Sequence, residues 1–400
     1  MEATSGDADR LERYAELAVR VGANVQQGQT LFLTGHIGHA PLVETIARQA
    51  YRAGAAYVDV RYLDDRVRRA MVELGPETAL AYTPPWLAEW AESHDGQARI
   101  WISGNPDPDA LDGLDGDRLG RARMHDLTEI IARHVLTNRS VNWSTVAYPN
   151  PGWATAMFGE PAVERLWDAV AFSTRLDEAD PVAAWRDQLS SLEGRAASLN
   201  ALALEALRYR GPRTDLTIGL ADNARWLSAL SRTASGIEYL PNIPTEEVYT
   251  TPDCRVADGM VHSPKPVRVN GQLVEGLELT VSGGRIVSVD AELGADVVRA
   301  TLRRDDRAAY FGEAALVDRS SRVAQLDMLF HDMLYDENAG SHLAFGAGLP
   351  EAFEGDPGDA LNVSSVHVDF IVGSPELEVD GRRPDGTWVP VMHGEEWQID

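Results

Sequence analysis

Residues 28–61 read GQTLFLTGHIGHAPLVETIARQAYRAGAAYVDVR, and this stretch decides the fold of the first half of the chain. The apolar run from Thr30 to Thr34 has strand length. LVETIARQAYRAGA carries apolar residues at helical spacing, and Ala56–Arg61 returns to the period of two expected of a strand. A strand, a helix and a second strand in that order form a crossover unit with parallel strands. Working outward, Ala8–Val21 reads as a helix stopped by Gly22, Arg99–Ser103 as a third strand broken by Gly104-Asn105-Pro106, and Arg118–Leu136 as a further helix. The first half is therefore expected to be a doubly wound α/β domain. It contains neither G-x-G-x-x-G nor G-x-x-x-x-G-K-S/T, so the fold does not by itself imply a nucleotide. His36 and His39 follow the first strand, and a loop there is ordinarily surface.

Tyr148–Trp153, YPNPGW, is a turn-rich break. Two helices follow, the second opening at Asp180-Pro181 with Asp180 as N-cap and Pro181 in the first turn. From Thr214 the segments TDLTIGL, GLELTVSGG and RIVSVDAE alternate and turn at glycines. The expected domains are 1–200, α/β, and 201–400, α+β. The 36 basic and 62 acidic residues leave a net charge of −26, which repels phosphate backbones and anionic lipid, so neither nucleic acid nor membrane is an expected partner. Lys265 is the single lysine. One cysteine, Cys254, leaves no internal disulfide and no cysteine-cluster metal site. The N-terminal stretch lacks the charged start and apolar core of a signal peptide, and a cytoplasmic location is expected.

The last third concentrates metal-ligating residue types in four segments: NIPTEEVYTTP from Asn242, GEAALVD from Gly312, YDENAGSHLAFG from Tyr335 and SSVHVDFIVGS from Ser364. They supply Glu247, Glu313, Glu337, His342, His367 and Asp369, about the number of groups two divalent ions require. Imidazole with carboxylate suits zinc, cobalt or manganese. His367 and Asp369 are two apart, so in a strand both project from one face about 7 Å apart. Glu246 and Glu247 are adjacent and point opposite ways if extended, so at most one of them is an inward ligand. Glu337 and His342 do not match one helical face. There VAQLDMLFHDMLYDE is expected to end as a helix and turn back at Gly340, with His331 a polar helix residue. No serine-hydrolase elbow and no H-E-x-x-H helix is present.

These motifs, with LVEGLELT and VHVDFIVGSPELEVDGRRPDGT, resemble the metallopeptidase family M29, of the aminopeptidase T and aminopeptidase S type. The resemblance extends to LAVRVGANVQQGQTLFL, NPGWATAMFG and DEADPVAAW in the first half. It implies a cytoplasmic homodimer with a two-metal centre in the C-terminal domain, releasing N-terminal residues from peptides. It implies metal ligation by Glu247, a bridging Glu313, Glu337, His342, His367 and Asp369. Catalytic proton transfer is assigned to Glu313 or Glu246. Seven residues after His342 the family pattern has a tyrosine, and here that position is Leu349. A phenol there donates to an oxyanion and leucine cannot, so Tyr335 or Tyr249 is the substitute donor at the substrate, or the enzyme is a specialised amidase acting on a small amide. A single-iron dioxygenase, related to the family, and a non-catalytic peptide-binding protein are the readings from other classes. Metal content per chain separates them.

Overall fold

The structure is a computed structural model describing residues 5–399, with side chains from residue 8 onward. The chain forms two compact units: Met1–Arg186 with Leu230–Pro244, and Asp187–Ala229 with Thr245–Asp400.

In the first unit, four parallel strands lie in the order Tyr57–Leu63, Thr30–His36, Ala98–Ser103, Asn142–Ala147. Parallel strands need long crossovers, and helices such as Ala40–Arg52 provide them. Leu31, Leu33, Ile100, Ile102 and Val146 are buried on one face of this sheet, as the alternating pattern requires. Residues 230–244 belong here because Thr145 pairs with Asn242: the Thr145 amide donates to the Pro241 carbonyl at 2.6 Å, and the Ile243 amide to that of Thr145 at 3.1 Å. The helix expected over Arg118–Leu136 is broken into Gly116–Arg121, His125–Ala132 and a wider turn over Arg133–Thr137. His39 is fully buried, contrary to the surface expectation. Its Nδ1 accepts from the His36 amide at 3.1 Å, and its Nε2 lies 2.8 Å from the Gly104 carbonyl oxygen.

The second unit holds two large antiparallel sheets and a two-stranded ribbon, Val267–Val269 with Gln272–Val274. The larger has eight strands, with Thr214–Gly219 and Ala206–Gly211 at its middle. The smaller runs His367–Ile371, His342–Gly346, Phe311–Val317, Glu247–Thr250, Leu227–Ser228. Its central strand Phe311–Val317 is buried at every residue. Asp180 caps the helix Pro181–Leu202 through its Oδ1 and the Ala183 amide, as expected. VAQLDMLFHDMLYDE is not one helix. Arg322–Leu326 stops at Asp327, which has φ +46°, and His331 has φ +56°. A new turn, Met333–Asp336, then begins. His331 thus sits in a loop, where its Nδ1 accepts from Arg268 Nε at 3.0 Å. Cys254 is buried, its Sγ 3.4 Å from the Asp359 carbonyl oxygen. Among the described residues no helix is long and apolar enough to cross a membrane.

Candidate metal centre

Register in the smaller sheet explains why residues so distant in sequence meet. Glu247 pairs with Val317 and Tyr249 with Ala315. Ala315 pairs in turn with His342, and Glu313 with Ala344. Ala344 pairs with Asp369, and Gly346 with His367. Side chains alternate along a strand, so Glu247, Glu313, His342, His367 and Asp369 all rise from one face. Between them stand Ala315, Ala344 and Gly346, which leave the face open where the longer side chains converge.

Phe311 and Glu313 are two apart and would share a face in an unbroken strand. Phe311 pairs with Phe345 but Glu313 with Ala344, a register shift of one across Gly312. The bulge turns Phe311 to the apolar side, near Phe370 with ring centroids 6.4 Å apart, and leaves Glu313 among the converging imidazoles and carboxylates. Glycine is required there: a Cβ would lie 2.0 Å from the Ala347 carbonyl oxygen.

The donor atoms form two groups, Glu247 with Glu313 and His342, and Glu313 with His367 and Asp369, each within 4.8 Å of one another. Glu313 divides its two oxygens between them. Oε1 is 4.0 Å from His342 Nε2, and Oε2 is 3.2 Å from His367 Nε2. Glu247 Oε2 stands 3.2 Å from His342 Nε2, and Asp369 Oδ1 3.2 Å from His367 Nε2. Both imidazoles are held from behind, His342 Nδ1 by the Gly340 carbonyl at 3.2 Å and His367 Nδ1 by that of Ala347 at 2.9 Å, so each presents Nε2 to the centre.

The charges are out of balance. Burial pulls the His342 pKa down, but the hydrogen bond and charge of Glu247, then Asp369 and Glu313, push it up to about 10. His367 behaves alike: the charge and hydrogen bond of Asp369, with those of Glu313, overcome burial and raise it to about 12. Glu313 is raised by burial and by Asp369 and Glu247. Glu337 is raised well above the usual carboxylate range by burial and then by Glu247 and Asp369. Crowded carboxylates in a buried site call for cationic compensation. Glu247 Oε2 and Asp369 Oδ1 are buried, and beyond the single imidazole that approaches each at 3.2 Å they have no hydrogen-bond partner among the described residues. That geometry, with its borderline and hard donors, fits divalent metal ions.

Glu337 belongs to neither group of three; it lies on the short turn Glu337–Ala339 and feels the charge of both. Gly340 is extended at φ 163° and makes no left-handed turn; the 3₁₀ turn Glu337–Ala339 precedes it. Both Glu246 and Glu247 are buried. Glu247 joins the centre, whereas Glu246 accepts from Gln188 Nε2 at 2.7 Å. Asn338 was not expected to matter. It is fully buried, its Oδ1 accepts from the Glu246 amide at 2.7 Å and its Nδ2 donates to the Leu334 carbonyl at 3.0 Å, so it ties two ligand segments together. Its place beside Glu337 was the only signal in the sequence.

Residues 7–397 match the family described as thermophilic metalloprotease (M29). The chain belongs to the M29 family. It is 41% identical to aminopeptidase T of Thermus aquaticus, covering 98% of this chain and 99% of that one. It is 35% identical to aminopeptidase 2 of Geobacillus stearothermophilus, covering 98% of both. A solved structure, wild-type AmpT from Thermus thermophilus, superposes with a TM-score of 0.91 at 38% identity, over 98% of this chain and 99% of that one.

In this M29 chain Leu349 is half-buried and held through its backbone. Its amide donates to Thr251 Oγ1 at 3.0 Å, and that hydroxyl lies 3.2 Å from the Leu349 carbonyl oxygen. Tyr335 is fully buried and stacked on Phe330 with centroids 4.5 Å apart. Tyr249 shares the Glu247 face of its strand. A cleft of about 360 Å³ opens on Glu337 and Asp369, walled by Val267, Met333 and Ile371, with Arg268 and His331 at its polar side.

Proposed function

We propose that this M29 metalloprotease is a two-metal aminopeptidase. The observation that carries the reading is the division of Glu313 between two donor groups, one oxygen toward His342 and the other toward His367. Glu247, Glu313 and His342 would hold one ion, and Glu313, His367 and Asp369 the other, with Glu337 supplying further carboxylate. Divalent ions bound there supply Lewis acidity toward a carbonyl oxygen and lower the pKa of a coordinated water. The carbonyls of Gly340 and Ala347 keep both imidazoles oriented. Glu313, whose oxygens face both donor groups, carries a proton to the leaving amine, with Glu246, which accepts from Gln188, the alternative carrier. The cleft beside Glu337 and Asp369 receives the first side chain of the substrate; its volume is at the low end of the roughly 300–1,000 Å³ typical of small-molecule sites. The metals are zinc, cobalt or manganese, and the enzyme works as a cytoplasmic homodimer, as the resemblance implies.

Elemental analysis of purified protein, paired with leucyl and alanyl peptides, tests the reading. About two ions per chain, activity lost to chelation and activity restored by zinc, cobalt or manganese are expected. One iron per chain with no peptide cleavage rejects it, as does cleavage surviving exhaustive metal removal. Leu349 supports a second reading, a specialised amidase, which two bound ions without general peptide cleavage would favour.

A further inference from the structure

The first unit contains a cleft of about 1160 Å³, formed wholly within that unit. Its floor is the face of the parallel sheet opposite Leu31, Leu33 and Ile100. Register sets that floor: Thr34 lies beside Arg61 and Trp101, and Arg99 beside Phe32 and Trp143. Arg61 and Arg99 therefore rise on either side of the central strand Thr30–His36. Met71, Leu80, Leu127 and Ile131 make the opposite wall apolar.

What is unusual is the polar inventory of this greasy cleft. Among the described residues neither guanidinium has a carboxylate partner. Arg61 stands over the Trp90 ring at 5.3 Å and Arg99 over that of Trp101 at 5.8 Å. Burial, and then the charge of Arg61, bring the Arg99 pKa down to about 10, and burial alone lowers Arg61. Asp64 and Asp65 also line the cleft but are engaged elsewhere, Asp64 by Arg66 and Asp65 by Asn105. Two further donors, the Thr34 hydroxyl and the Trp143 indole N–H, are buried with no hydrogen-bond partner. Arg61 and Arg99 are half-buried; polar groups taken from water ordinarily have partners, and a partly desolvated cation without one is costly. In a chain of net charge −26, carboxylates were available in plenty to pair these arginines.

We propose that the cleft binds a small apolar carboxylate. The head group lies between Arg61 and Arg99 with the Thr34 hydroxyl and Trp143 N–H as additional donors, and the hydrocarbon runs along the Met71, Leu127 and Ile131 wall. A guanidinium pair matches a carboxylate fork, and its stacking on tryptophan keeps that fork in place. Two sources carry this chemistry, a free aliphatic acid and the C-terminal carboxylate of an apolar peptide.

Three tryptophans line the cleft, so quenching of intrinsic fluorescence reports occupancy, with calorimetry as an independent measure. The probes are decanoate, N-acetyl-leucyl-leucine and decanol. Decanoate should bind at least about tenfold more tightly than decanol, the ratio of one charge-assisted hydrogen bond. Arg99→Gln and Arg61→Gln should each lose about tenfold in decanoate affinity, Arg99→Lys less, all with unchanged metal content. If the dipeptide binds tighter than decanoate, the source is a peptide terminus; the reverse assigns a free acid. Equal binding of decanol and decanoate overturns the proposal, and needs no variant to fold. So does absence of binding by both anions, including the case in which Leu136→Asp turns an associated protein into monomers, since a second copy then fills the cleft.

Discussion

Leu349 occupies a position where the family pattern places a phenol, and its backbone is pinned from both sides by Thr251. That pinning means a side chain can be exchanged there with the main chain held. If the leucine leaves the site short of one donor to an oxyanion, Leu349→Tyr should raise turnover on aminoacyl anilides. The gain is bounded by the roughly 10²–10³-fold value of one such donor. Metal content should not change, because none of the six residues proposed as ligands is touched. An unmodified enzyme already fast on generic substrates, and unimproved by Leu349→Tyr, would move attention to Tyr335→Phe and Tyr249→Phe. Tyr335 is the harder substitution to interpret, since its ring is stacked on Phe330 in the core.

The bulge at Gly312 decides where an entire strand points. A methyl group there meets the Ala347 carbonyl oxygen at 2.0 Å, so main chain must move. Gly312→Ala should lower stability by about 1–3 kcal/mol, the usual cost of overpacking. It should also reduce metal per chain, because Glu313 is aimed by the same bulge. A variant losing stability while keeping both ions would separate the two effects and refute the link. The sequence showed some of this and hid the rest. His367 and Asp369 were legible because a period of two needs no partner strand. The alanines opposite the ligands were not, because only register reveals that Ala344 lies between Glu313 and Asp369. The bulge was equally hidden, since Gly312-Glu313 reads as an ordinary strand entry. The helix over residues 323–337 was misread for a different reason. Its apolar spacing suits a helix, but Asp327 and His331 adopt left-handed backbone, which spacing does not encode. The parallel direction of the first unit's strands followed from strand and helix alternation alone.

Two histidines of the first unit give the whole molecule a pH dependence separate from the metal centre. His39 and His94 are buried, and burial brings each down to about 4. In His39 the neutral ring uses both nitrogens, accepting from the His36 amide at Nδ1 and donating to Gly104 from Nε2. A second proton would face a donor. The unfolded chain holds these rings near 6.5, so between 6.5 and 4 it binds more protons than the folded one. Stability from these groups is therefore complete above pH 6.5 and lost as pH falls toward 4, by up to about 3 kcal/mol each. Asp336, which burial holds up to about 7, acts the opposite way in that window, so the contribution of the ring is read from denaturant midpoints of the unmodified protein against those of His39→Gln. His39→Gln should start lower and fall less steeply; an identical slope would remove His39 as a cause.

The residues proposed to hold metal are joined by strand pairing across a long span of chain, from Glu247 to Asp369, with none of the pairings local. A ribosome must therefore deliver Asp369 before the second donor group exists at all. Until then the growing polypeptide holds Glu247, Glu313 and His342 without their neighbours. Any product of premature termination upstream of residue 367 lacks both His367 and Asp369 and cannot assemble the full centre. On the proposed two-metal reading, loading becomes a check on completeness: a molecule carrying both ions has, by that fact, been translated past Asp369.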